Sequence, residues 1–184
     1  MRLAILNEGY SFSNRLLFSL IHFFSRQRVP DAARLTFYRP DFYGSHSKAL
    51  THEAMRGPSA WSVAERELMA AYVSNVNDCL FCIGAHTATA SLAGGNEDTV
   101  ITALADLDSA PISDELRLTL LMLGKLTREG NLSVEDVRAV LESGVSRQQV
   151  EDALAICYAF NVTNRLANAF GFEVLSPEGF QAGA

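Results

Sequence analysis

The sequence predicts an all-α fold. Three observations carry that expectation. Apolar residues recur at helical spacing, helix starts and stops are marked along the chain, and no run alternates apolar and polar residues long enough for a sheet. The 184 residues suit one domain, and a hydrophobic content of 48% calls for a packed globule. Net charge is −6, with a pI near 5.2 and no basic patch, which argues against a nucleic-acid partner.

The elements follow in order. Leu16 to Phe24 is the most apolar early stretch. It is too short to span a bilayer, and Glu8 with Ser25-Arg26-Gln27-Arg28 does not make a signal peptide, so a packing helix is expected there. Ser62-Val63-Ala64-Glu65 and Ser146-Arg147-Gln148-Gln149 read as capping boxes, and Ser133 to Asp136 as a weaker one. Asp78 reads as the N-cap of a helix that starts with Cys79. Gly94-Gly95, Gly130, Gly144 and Gly171 read as stops. Leu68, Tyr72 and Val76 step by four, as do Leu154, Tyr158 and Val162. Expected spans are roughly 14–28, 31–37, 41–55, 62–77, 79–93, 97–107, 114–129, 134–142 and 147–170, with some short ones merging into about seven or eight helices. The domain reading is one unit over 1–184: a helical extension over 1–60, a core over 61–170 and a tail over 171–184 expected to fray or to drape over a neighbouring subunit.

The chemistry concentrates at Cys79-Leu80-Phe81-Cys82, with His86 four residues on. In a helix, Cys82 lies about 60° from Cys79, and His86 about 20° from it. Two sulfurs and an imidazole thus share one face near the positive end of the helix dipole, where thiol pKa values fall. This is the apparatus of thiol–disulfide exchange, and it is also three-quarters of a zinc site. Cys157 is the one remaining cysteine and sits mid-helix in an apolar stretch, which suits a buried inert thiol better than a fourth ligand. Three sparse cysteines suit reduced thiols in a cytosolic setting. Glu67 shares a helix face with Ala70, Ala71 and Ser74, so it is either a surface glutamate beside Arg66 or, where a neighbouring helix comes close, a group in the same pocket as His86 whose pKa burial would raise. Asn161, Asn164, Arg165 and Asn168 form a polar stripe on an apolar helix, either as a solvated face or as hydrogen-bonding groups at a subunit contact or behind the site.

Glu67, eleven residues, then Cys79-x-x-Cys82-x-x-x-His86 resembles the core motif of the AhpD-like alkylhydroperoxidases of the carboxymuconolactone decarboxylase superfamily. Arg39-Pro40, Met55-Arg56-Gly57-Pro58 and Phe160-Asn161-x-x-Asn164-Arg165-x-x-Asn168-x-Phe170 are similar to its peroxidase-related branch. The resemblance implies a multi-helical orthogonal bundle with the CxxC at a helix N-terminus, assembled as trimers or hexamers. It implies a cytoplasmic thiol peroxidase without cofactor or metal, acting on a peroxide and re-reduced by an external thiol or dithiol, with no membrane partner. It assigns Cys82 as the attacking thiolate, Cys79 as the resolving thiol, and Glu67 with His86 as a water-assisted proton relay. A thiol–disulfide oxidoreductase or redox sensor with little peroxidase turnover is the alternative. The founding alkylhydroperoxidase has a histidine where this chain has Phe81, and aromatic residues there are usual in the peroxidase-related branch. The decarboxylase branch lacks the cysteine pair.

Overall fold

The computed structural model describes residues 1–183. Helices α1 (Ile5–Glu8), α2 (Phe12–Ser25), α3 (Asp31–Tyr38) and α4 (Ser45–Arg56) form the N-terminal part, with a π-helical turn at Pro40–Gly44 leading into α4. Then follow α5 (Val63–Val76), α6 (Leu80–Leu92), α7 (Glu97–Ala105), α8 (Asp114–Glu129), α9 (Val134–Glu142), α10 (Arg147–Phe170) and α11 (Pro177–Gly183). No strand occurs among the described residues. There are eleven α-helices where seven or eight were expected, because the short spans stay separate and α1 and α11 add to them.

Helix ends follow the local chemistry. Ser62, Ser133 and Ser146 each close a full capping box, with Glu65, Asp136 and Gln149 respectively. Gly130 and Gly171 adopt left-handed backbone at the ends of α8 and α10, where a side chain would be strained. Asp78 departs from expectation. The link between α5 and α6 is so short that Asn77 is still bonded back to Val73, and Asp78 turns the chain at φ 50°. A residue so bent cannot cap α6, and Cys79 takes the N-cap position instead.

Two apolar clusters divide the interior. The larger gathers α5, α8 and α10, with Met69, Leu120, Leu123 and Ile156 at its centre. The smaller joins Leu6, Leu35, Phe81, Ala167, Phe172 and Phe180 around Cys79 and Cys82. The CxxC thus lies where the N-terminal helices, α6 and the C-terminal segment meet. The tail does not leave the globule. Its helix α11 packs on α6, and the Phe180 ring lies over Gly84 so closely that a Cβ there would overlap it. The reason is that Phe180 completes an edge-to-face aromatic cluster with Phe81, which also meets Phe172.

The expected packing helix behaves differently. None of the α2 residues is buried, and Phe12, Leu16, Leu20, Phe23 and Phe24 are exposed. Its one anchor is Phe18, edge-on to Tyr10 and Phe37. Among the described residues, no helix is long and apolar enough to cross a membrane.

Candidate active site

Helices α5 and α6 pack together closely and bring Glu67 and His86 into direct contact. His86 Nδ1 lies 2.6 Å from Glu67 Oε2. The other carboxylate oxygen, Oε1, pairs at 2.7 Å with Arg56 Nη2 from the end of α4. Glu67 is only 3% exposed, yet it stays ionised. Burial pushes its pKa up, but the hydrogen bonds and charges of His86 and Arg56 outweigh that and hold it below the ordinary carboxylate range. This reverses the sequence expectation of a raised value, because His86 first and then Arg56, from another helix, both bond the carboxylate. With Glu67 ionised, the short contact needs a proton on His86 Nδ1, which makes Nε2 the ring nitrogen available for proton exchange. Phe160 of α10 packs edge-on to the imidazole, 4.4 Å between ring centroids.

Cys79 and Cys82 are free thiols, 0% and 2% exposed. The shift of the helix start by one residue gives them different roles in the resting pair. Cys79, at the N-cap, holds the position from which capping side chains reach the first amides, although its sulfur closes no regular capping bond. Its pKa falls to about 7, first because the Cys82 thiol shares its proton with it, then through the amides of Cys82 and Phe81 and the Asn164 carboxamide, against the opposing effect of burial. Cys82 is pushed up, because its proton is held by Cys79 and because it is buried. Proton sharing within the pair thus favours negative charge on the Cys79 side.

The polar stripe on α10 is not a solvated face. Asn77 Nδ2 donates to Asn161 Oδ1 at 3.2 Å and to Asn164 Oδ1 at 3.1 Å. Asn164 Nδ2 donates to Ser74 Oγ at 2.9 Å, and Asn168 Nδ2 to the Asn77 carbonyl at 3.0 Å. These amides hold the tight turn that delivers Cys79, and Arg165 braces Asn161 from the outside. Cys157 lies behind them, buried, with Asn161 Nδ2 donating to its sulfur at 3.2 Å. Burial raises its pKa, as suits an inert thiol. Among the described residues, no three His, Cys, Asp or Glu side chains converge as a metal set. The expected site residues thus lie on α5 (Glu67) and along α6 (Cys82, His86), with Cys79 at the α6 N-cap. Arg56 was not singled out as a site residue, because nothing local in a sequence marks a partner from a separate helix.

The carboxymuconolactone decarboxylase family model matches residues 45–121, a span that holds Arg56, Glu67, both thiols and His86. No curated protein matches the chain. Among solved structures, the fold is similar to an uncharacterized peroxidase-related protein from Silicibacter sp. TM1040, at TM-score 0.78 and 22% identity over 94% of this chain and 90% of that one. It is also similar to an alkylhydroperoxidase AhpD core, an uncharacterized peroxidase-related protein from Ralstonia eutropha JMP134, at TM-score 0.78 and 21% identity over 96% and 93%. A third is a variant of the debrominase Bmp8 in complex with 2,3,4-tribromopyrrole, at TM-score 0.68 and 14% identity over 83% and 81%. An all-helical fold of this kind, with a match to the carboxymuconolactone decarboxylase family model across the site, defines the class: the chain shares its fold with AhpD-like peroxidase-related proteins, and its residues 45–121 are similar to that family's domain.

Proposed function

We propose that this chain is a thiol-dependent peroxidase that reduces an organic hydroperoxide through a Cys79/Cys82 dithiol–disulfide cycle. The observation that carries the reading is the pair of reduced thiols at the start of α6, one turn from an imidazole bonded to an ionised carboxylate. Cys82 attacks, Cys79 resolves, and His86 with Glu67 handles protons. The proton first passes from Cys82 to Cys79 within the pair. The Cys82 thiolate then forms a bond to the terminal peroxide oxygen, the O–O bond breaks, and the alkoxide takes a proton through His86 to leave as alcohol. Cys79 loses its proton to the relay and attacks the Cys82 sulfenic acid. The S–S bond forms, the S–O bond breaks, and hydroxide leaves as water with the returned proton. An external dithiol restores both thiols and is itself oxidised to a disulfide. No cofactor enters the cycle.

The same reading places the protein in the reducing cytoplasm as a homo-oligomer, a trimer or hexamer. The apolar residues that α2 leaves exposed in the single chain support association. The burial of both sulfurs beneath Phe81, Phe172 and Phe180 favours a second reading, a redox sensor with little turnover. One experiment tests both: mass spectrometry after one equivalent of cumene hydroperoxide on wild type, Cys79→Ser and Cys82→Ser. The peroxidase reading expects a Cys79–Cys82 disulfide in wild type, a trapped sulfenic acid on Cys82 in Cys79→Ser, and steady turnover with dithiothreitol. Oxidation without turnover selects the sensor. Unmodified thiols in all three proteins would sink both.

A further inference from the structure

The relay has a third member. We propose that Arg56 is a positioning residue, clamping the Glu67 carboxylate so that Oε2 always accepts from His86 Nδ1 and the imidazole works from Nε2. The proposal deepens the peroxidase reading and rests on it for its functional meaning.

Arg56 is the last residue of α4, and its guanidinium is tethered at both ends. Nη1 donates to the Met55 carbonyl at 2.9 Å, and Nη2 reaches Glu67 Oε1 at 2.7 Å. A fork held on its own helix end is a fixed support, not a swinging side chain. Glu67 has two oxygens, and each is committed to one partner: Oε1 to Arg56, Oε2 to His86. The carboxylate therefore cannot rotate to offer His86 a different oxygen without breaking the Arg56 pair. His86 is bounded on another side by the edge-on Phe160 ring, so its plane is set as well. The charged and titratable groups acting on Glu67 are His86 from α6 and Arg56 from α4.

The arrangement follows the logic by which a carboxylate behind a histidine selects its tautomer and orientation. Here the carboxylate needs its own support, because a buried acid without a second cation would drift toward its neutral form. A neutral Glu67 can donate a proton, and it would then accept the Nε2–H tautomer of His86 just as well. Arg56 removes that option. Its 38% exposure puts it at the rim, where a substitution leaves the interior intact. It also makes α4 part of the site, although the sequence reading assigned residues before 61 to an extension.

The test uses the full chain with ¹⁵N-labelled histidine, comparing wild type, Arg56→Met and Arg56→Lys at a pH where the imidazoles are neutral, with His86→Asn for assignment. Wild type is expected to show His86 as the Nδ1–H tautomer. In Arg56→Met the Nδ1–H to Nε2–H ratio is expected to fall by roughly tenfold, and Arg56→Lys to recover much of it. A wild-type His86 protonated on Nε2, or an unchanged ratio in a folded Arg56→Met, overturns the proposal. The spectra need no peroxide. Absent turnover in wild type would therefore sink the peroxidase reading while leaving the clamp standing, and an unchanged ratio would do the reverse.

Discussion

Glu67 Oε2 and His86 Nδ1 stand 2.6 Å apart across two consecutive helices, and the carboxylate between His86 and Arg56 is ionised despite being buried. A carboxylate held below its ordinary pKa stabilises the fold fully above the unfolded value, and the contribution is lost as pH falls through the folded one. Glu67→Gln keeps the shape but removes the charge from both partners. It is expected to cost about 1.5–3 kcal/mol in urea unfolding at neutral pH, with the gap to wild type closing on acidification. A gap that stays constant down to pH 3 would show that Glu67 is not charged in the native protein.

Cys79 titrates near 7 and an unfolded thiol near 9, so between those values the unfolded chain binds the extra proton. The reduced protein is expected to gain stability as pH rises through this window, and the Cys79 contribution is lost as pH falls through its folded pKa. Cys82 acts oppositely: its raised pKa favours the fold only below the unfolded value, so the gain should stop near the top of the window. Thiolate absorbance at 240 nm is expected to rise near pH 7 in wild type, and that rise is expected to vanish in Cys79→Ser. Persistence of the same midpoint in Cys79→Ser would put the charge on the other sulfur.

Gly84 and Phe180 are in direct contact, and a methyl group at residue 84 would overlap the ring. Gly84→Ala is therefore expected to lift α11 from α6, although alanine is the better helix former. Both Gly84→Ala and Phe180→Ala should speed iodoacetamide labelling of the two thiols by roughly tenfold or more, since a detached α11 opens their cover. Unchanged labelling rates in both variants would mean that α11 does not shield the pair.

Asn77 donates one amide group to both Asn161 and Asn164, and Asn168 holds its carbonyl. Asn77→Ala leaves the buried Asn164 oxygen without this donor, while Asn161 Oδ1 keeps Arg165. The expected cost is about 1–3 kcal/mol, with faster hydrogen exchange at the amides of Asp78 and Cys79. Protection equal to wild type at those amides would remove the stripe from any role in delivering Cys79.

Much of this molecule was legible in advance for local reasons. Spans 114–129, 134–142 and 147–170 match α8, α9 and α10 to the residue, because serine caps and terminal glycines act within one turn. Helical spacing places Cys82 and His86 one turn apart within α6, while Cys79 stands just before it at the N-cap. Misreadings arose where a remote segment intervened. Asp78 looks like a cap until the shortness of the α5–α6 link is known. The tail looks loose until Phe180 finds Phe81 and Gly84. The apolar α2 looks like a core element, but among the described residues none of its side chains is buried, and Phe18 packs against Tyr10 and Phe37.

By itself, then, the order of residues determined the helical class and most of the helix ends, since those depend on neighbours within a few positions. Tertiary packing alone decided that Glu67 is charged, that Arg56 stands behind it and that the Cys79 thiol is lowered while Cys82 is raised. Proton affinities are set by desolvation and by charges a few ångströms away, and those charges come from parts of the chain that only folding brings together.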